Sequence, residues 1–213
     1  MKITIVYDNT VYNRELKADW GFSCLIEIEN TPKILFDTGA NGAILLSNMK
    51  NLDIDPLSID EIFISHAHYD HTGGLSEFLN INNNVTIYIP PTFKGCHRGN
   101  KVIPLNETVA IHDNIYSTGE LDNIEQSLII STDRGLVLIV GCSHPKMSHI
   151  LDTASQYGQI YAIIGGMHGF KDFDLFKDME LICPTHCTKF IKEIKLLYPD
   201  AYTEGGAGKI IEL

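Results

Sequence analysis

A short apolar run, Glu61–Ser65 (EIFIS), leads directly into His66-Ala67-His68-Tyr69-Asp70-His71, so four metal-capable side chains fall within six residues. This junction constrains the chain more than any other. The run has the length and composition of a buried strand. In extended backbone, alternate side chains share a face, so His66 and His68 point the same way and can grip one ion. Asp70 and His71 follow on a turn and can reach a second. Thr72-Gly73-Gly74 lets the backbone bend sharply and opens a helix. The plain alternative is a polar surface loop with chance histidines. Such a density of ligand-type side chains straight after a buried strand argues against it.

The same arrangement recurs. A buried strand ends and a histidine-bearing turn follows at His66, at His144 in GCSH, at His168 in IGGMHG and at His186 in PTHC. Open α/β sheets place their chemistry at strand ends, so these turns are expected to converge. Apolar periodicity predicts strands at 2–7, 22–29, 33–36, 61–65, 85–89, 127–131, 135–140, 160–164, 181–183 and 209–212. It predicts helices over 43–52, 74–79, from Pro145 to about 157, and over 188–197. Residues 92–125 are the least regular part. No repeat and no low-complexity linker divides the chain, so residues 1–213 read as one α/β domain of two similar halves packed through sheet faces.

Composition narrows the function classes. Lys+Arg total 16 against Asp+Glu 27, a formal charge of −11, which disfavours gripping a nucleic-acid backbone. No apolar run approaches the roughly 20 residues of a membrane helix. The N-terminus MKITIVYDNT reads as a first strand rather than a secretion signal. Five scattered cysteines without a C-x-x-C pair suggest free thiols in a reducing, cytoplasmic setting.

A zinc ion takes about four ligands, and about six protein ligands serve a pair of metals. The local motif supplies four, and His144 and His186 are the expected others. His168 stays open between ligating, donating a proton, holding substrate, and a structural turn role.

FDTG at 36–39, HAHYDHTGG at 66–74, GLVLIVGCSH at 135–144, IGGMH at 164–168 and PTHCT at 184–188 resemble, in order, the metallo-β-lactamase-fold superfamily. Within it they are most similar to the 7,8-dihydropterin-6-methyl-4-(β-D-ribofuranosyl)-aminobenzene-5′-phosphate synthase-like branch. The resemblance spans nearly the whole chain. It implies a four-layer αββα sandwich with a dinuclear metal site at one edge of two sheets. His66, His68 and His144 would hold the first metal, and Asp70, His71 and His186 the second. Asp37 would orient ligands by hydrogen bonding; its plainer reading is a helix cap. Two departures stand out. The chain lacks the Gly-His-Thr that often precedes the hairpin, and it has GCSH where Gly-Asp is expected. A carboxylate bridge is therefore absent from the pattern, and water alone is the expected link between metals.

The resemblance implies a metal-dependent hydrolase using a metal-bound hydroxide on a small, phosphorylated substrate; Asp70 can orient the nucleophile, and His168 could protonate a leaving group or grip a substrate oxygen. The alternative is a synthase-like transferase of pterin cofactor formation. Lys94, His97 and Arg98 are candidates to pair with a substrate phosphate. Trp20, with Tyr12 and Arg14, is a candidate to stack on a flat ring, and reads equally well as core. Cys142 and Cys187 lie close in sequence to the candidate ligands, and either could be a soft extra ligand, although histidines already fill the expected roles. Two divalent metals are expected, zinc first, with iron, manganese or nickel compatible with the donor set. The expected partner is an anionic small molecule, with no nucleic acid and no membrane.

Overall fold

The computed structural model describes residues 1–95 and 101–213. Its first sheet draws on β1 (Lys2–Tyr7), β2 (Ser23–Glu27), β3 (Ile34–Phe36), β4 (Glu61–Phe63), β5 (Thr86–Ile89) and β6 (Lys101–Pro104). The second contains β7 (Val109–His112), β8 (Ile115–Ser117), β9 (Leu128–Thr132), β10 (Gly135–Val140), β11 (Ile160–Gly166) and β12 (Leu181–Thr185). The last strand, β13 (Ile210–Glu212), returns to the first sheet, giving the orders β13-β1-β2-β3-β4-β5-β6 and β12-β11-β10-β9-β8-β7.

Period-2 alternation explains the layers. Cys24 and Ile26 on β2, Ile34 and Phe36 on β3, and Val137 and Ile139 on β10 face one core between the sheets. Their neighbours Leu25 and Leu35 face outward onto helices α1 (Gly42–Asn51) and α3 (Leu75–Ile81). Leu136, Leu138 and Val140 face outward onto α4 (Met147–Ala154) and α5 (Ile191–Leu197). Between β4 and α3 lies the one-turn helix α2 (Tyr69–Thr72). Three apolar cores separating two helical layers and two sheets make an αββα sandwich.

Strand direction positions the site. β3, β4 and β5 run parallel, as do β10, β11 and β12, and parallel neighbours need crossover connections. Their C-terminal ends therefore share an edge of each sheet. Asp37, His66, Cys142, His168 and His186 all lie just beyond these ends. The two sheets are stitched together there. Gln126 donates from its backbone to Ser65 O at 2.9 Å and from Nε2 to Ile64 O at 2.8 Å.

Two local expectations need correcting. The segment 92–125 contains three strands, β6, β7 and β8. β6 and β7 are the outermost strands of their sheets and are largely solvent-facing, so they lack the apolar alternation that marks a half-buried strand. Helix α4 starts at Met147, not Pro145. Lys146, with ψ of 131°, is extended rather than helical and takes the N-cap position.

Candidate metal centre

The loop after β4 brings Nε2 of His66 to 3.1 Å from Nδ1 of His68. His144 arrives from the loop after β10, its ring 4.7 Å from that of His66 and 4.5 Å from that of His68. One candidate ligand atom from each lies within 4.8 Å of the other two. Beside this group, Nε2 of His71 on α2 is 3.2 Å from Nε2 of His186 and 4.0 Å from Oδ2 of Asp70. His186 Nε2 is 3.3 Å from the same carboxylate oxygen.

The outer nitrogens determine which way the inner lone pairs point. Ser65 Oγ donates to Asp37 Oδ2 at 2.6 Å, so it accepts from Nδ1 of His66 at 2.9 Å. Nδ1 of His71 donates to Asp37 Oδ2 at 2.7 Å. Nδ1 of His186 donates to Asn9 Oδ1 at 2.9 Å, while Asn9 Nδ2 donates to His186 O. These bonds assign the proton of each neutral ring to Nδ1. Nε2 of His66, His71 and His186 is then bare in each. Nε2 of His144 is buried and has no hydrogen-bond partner. Lone pairs facing one another at hydrogen-bond distance repel unless a cation lies between them. The donor set, four imidazoles and a carboxylate with His68 completing the first group, suits divalent metals.

Burial favours the neutral form of His66, His144 and His186. Burial and the neighbouring histidines hold His66 well below the ordinary histidine range. Burial lowers His144 to about 4 and also lowers His186. These rings are neutral at pH 7 and so able to serve as ligands. Burial would depress His71 as well, but the adjacent Asp37 carboxylate outweighs it and raises the ring. Burial pushes Asp70 up, yet the neighbouring His186 and His71 rings outweigh it and hold the carboxyl well below its ordinary range. Asp37, Ser143, His168 and His186 all adopt positive φ, between 42° and 60°, at the centre or beside it. Left-handed backbone at non-glycine residues is strained and gathers at functional sites. Gly73 and Gly74 are needed for close approach, since a Cβ on either would fall 2.2–2.3 Å from a carbonyl oxygen of the 38–40 turn.

Residues 21–99 match the sequence model of the metallo-beta-lactamase superfamily. The chain is 29% identical to the 7,8-dihydropterin-6-methyl-4-(beta-D-ribofuranosyl)-aminobenzene-5'-phosphate synthase of Methanocaldococcus jannaschii, covering 98% of this chain and 95% of that one. A crystal structure of a metal-dependent hydrolase of the beta-lactamase superfamily superposes with a TM-score of 0.80 at 23% identity, over 100% of this chain and 99% of that one. The metallo-beta-lactamase fold protein YhfI from Bacillus subtilis superposes at 0.71 with 15% identity, over 100% and 98%. This is a metallo-β-lactamase-fold chain.

Within the metallo-β-lactamase fold, three residues beside this site, Glu125, Asn9 and Asp8, escaped sequence reasoning. Glu125, fully buried, accepts from the backbone of Gly141, Cys142 and Ser143 through Oε1 and of His144 through Oε2, at 2.8–3.0 Å. It shapes the GCSH loop. Asn9 aims His186, and Asp8 accepts from the His186 backbone N–H at 2.9 Å. Cys142, weighed as a soft extra ligand behind the histidines, has Sγ 3.2 Å from Nε2 of His71. A buried polar residue just after the first strand was the available signal for Asp8 and Asn9; Glu125 had none.

The proposed substrate residues fare unevenly. Trp20 is not core: it is 58% exposed, and its indole N–H donates to Oδ2 of Asp70 at 2.8 Å. Its ring lies 5.0 Å from that of His186. Lys94 turns its ammonium back to the carbonyl oxygen of Pro91 at 2.6 Å, and no described contact ties it to the histidine cluster. His97 and Arg98 lie outside the described residues. His168 stacks obliquely on His144, ring centres 4.6 Å apart. It borders a cleft of about 380 Å³ that also involves Ser143, Lys146, Met147, Met167 and Phe170. No described helix is long and apolar enough to cross a membrane.

Proposed function

We propose that this chain is a metal-dependent hydrolase that holds two divalent ions, zinc first among them, and acts on a small anionic substrate. The observation that carries the reading is the pair of adjacent donor groups, with Nε2 of His66 3.1 Å from Nδ1 of His68 and Nε2 of His71 3.2 Å from Nε2 of His186. His66, His68 and His144 would hold one ion, and Asp70, His71 and His186 the other. When bound, such ions supply Lewis acidity that makes water a nucleophile near neutral pH and stabilises developing negative charge.

The chain's own groups would do the rest. Asp37 fixes the tautomers of His66 and His71, and Asn9 that of His186. The cleft beside His168 supports a small substrate. Lys146 lines it, and the Lys189 charge is close enough to add to burial in holding His168 below the ordinary histidine range. Lys146 in the lining and the Lys189 charge acting on His168 favour an anion. Met147, Met167 and Phe170 would receive its apolar or aromatic part. His168, neutral at pH 7, is placed to hold a substrate oxygen or, when protonated, to pass a proton to the departing group.

A second reading is synthesis in a pterin pathway, favoured by the near full-length similarity to the archaeal synthase. Incubating the metal-loaded chain with phosphate monoesters and diesters tests the first. Chelator-sensitive release of phosphate or alcohol is the expected result. No hydrolysis, together with joining of an activated dihydropterin-6-methyl donor to a ribofuranosyl-aminobenzene 5′-phosphate and release of the donor's leaving group, would transfer the assignment to the second.

A further inference from the structure

The sulfur of Cys142 lies where the two donor groups meet. Its Sγ forms compact sets with His66 and His71, with His144 and His168, and with His186 and Cys187, the donor atoms of each set within 4.8 Å of one another. No other donor among the described residues enters three such sets. The side chain is 2% exposed. Its backbone is pinned at 2.8 Å to the Glu125 carboxylate, and the preceding Gly141 has no room for a side chain, since a Cβ would fall 2.2 Å from Ser65 Oγ. A cysteine acting as a small apolar filler is surrounded by carbon. This one faces imidazole nitrogens, with Nε2 of His71 at 3.2 Å.

We propose that Cys142 is a metal ligand shared between the two positions, so that a thiolate sulfur takes the place of a carboxylate or of water alone as the link. The inference rests on the metal-centre reading above. Binding forms the sulfur–metal bond, and the thiol proton leaves to solvent, with no change of oxidation state. A thiolate donor biases the site toward zinc and other thiophilic ions and away from magnesium or manganese. Cys187, 7% exposed, lies on the far side, its Sγ 3.8 Å from the Cys142 carbonyl oxygen. It shares only one donor set and is placed to support the Cys142 sulfur rather than to bridge.

X-ray absorption on the zinc-loaded wild-type chain tests this without any variant. A zinc–sulfur shell at about 2.3 Å beside nitrogen and oxygen at about 2.0–2.1 Å is expected. The cobalt-substituted chain should show an intense near-ultraviolet sulfur-to-metal charge-transfer band. Both signals should vanish in Cys142→Ala and persist in Cys187→Ala. Bound metal should fall from about two to about one per chain in Cys142→Ala. Two bound metals with a shell of nitrogen and oxygen only would overturn the sulfur ligand and leave the metal centre standing. A sulfur signal that survives Cys142→Ala and is lost in Cys187→Ala would overturn it in favour of the other cysteine. Failure of the wild-type chain to take up metal would overturn both readings.

Discussion

Asp37 and His71 meet side chain to side chain at 2.7 Å, and neither exposes any side-chain surface. The same carboxylate oxygen accepts from Ser65, which in turn accepts from His66, so one buried acid aims a ligand of each proposed metal. Asp37→Asn would place an amide where two donors converge. The expected result is a 10–100-fold loss of metal affinity, the usual effect of removing a ligand's hydrogen-bond partner. Competition against a chromophoric chelator measures it. Unchanged affinity would mean that the backbone alone orients the rings.

Trp20→Phe tests the indole bond to Asp70. The ring stays beside His186, but the donor to Oδ2 is gone. Because Trp20 is exposed, thermal stability should barely move. The second step of a metal titration should weaken several-fold while the first is kept.

Glu125→Ala would leave four backbone N–H groups of 141–144 without their acceptor. Each unsatisfied buried donor costs about 1–3 kcal/mol, less where water can enter. A stability loss of about 3 kcal/mol or more is expected in urea unfolding of the metal-free protein. A loss below about 1 kcal/mol would show that the loop finds other partners.

Asp8 has a pH signature of its own. Burial raises its carboxyl from 3.8 to about 6, against the hydrogen bonds from Asn9 and His186. Between those values the folded chain binds more protons at this site than the unfolded chain, so this contribution to stability falls as pH rises from about 4 to about 6. Above that window the loss is complete, on the order of 3 kcal/mol. Asp8→Asn has no such dependence. The stability of the variant relative to wild type, both metal-free, should therefore rise across the window and then level off. A difference that is flat from pH 4 to pH 7 would rule out the raised carboxyl.

His168→Ala separates catalysis from ligation. With His66, His68 and His144 as the first group, metal content should be retained while kcat falls about 10²–10⁴-fold, the range for a lost proton-transfer group. Loss of a metal ion would make His168 a ligand instead.

How far the sequence carried these assignments can be judged residue by residue. His66, His68, Asp70 and His71 were legible because they are contiguous and follow a buried strand, so local geometry alone brings them together. His144 and His186 were legible from the repeated strand-then-histidine pattern, since parallel strands end on a common edge. The solvent-facing strands β6 and β7 were not, because exposed edges carry no alternation to detect.

What the chain determined by itself was the supply of donors and the two-layered alternation that builds the sandwich. What only the tertiary structure decided was their aim. Asn9 orients His186 across 177 residues, Trp20 reaches Asp70 across 50, and Glu125 gathers a loop 16–19 residues on. Cys142 joins the centre only because the two sheets close over it. A hydrogen bond selects partners by position in space, and nothing in local periodicity encodes which distant side chain will stand within 3 Å of a ring nitrogen.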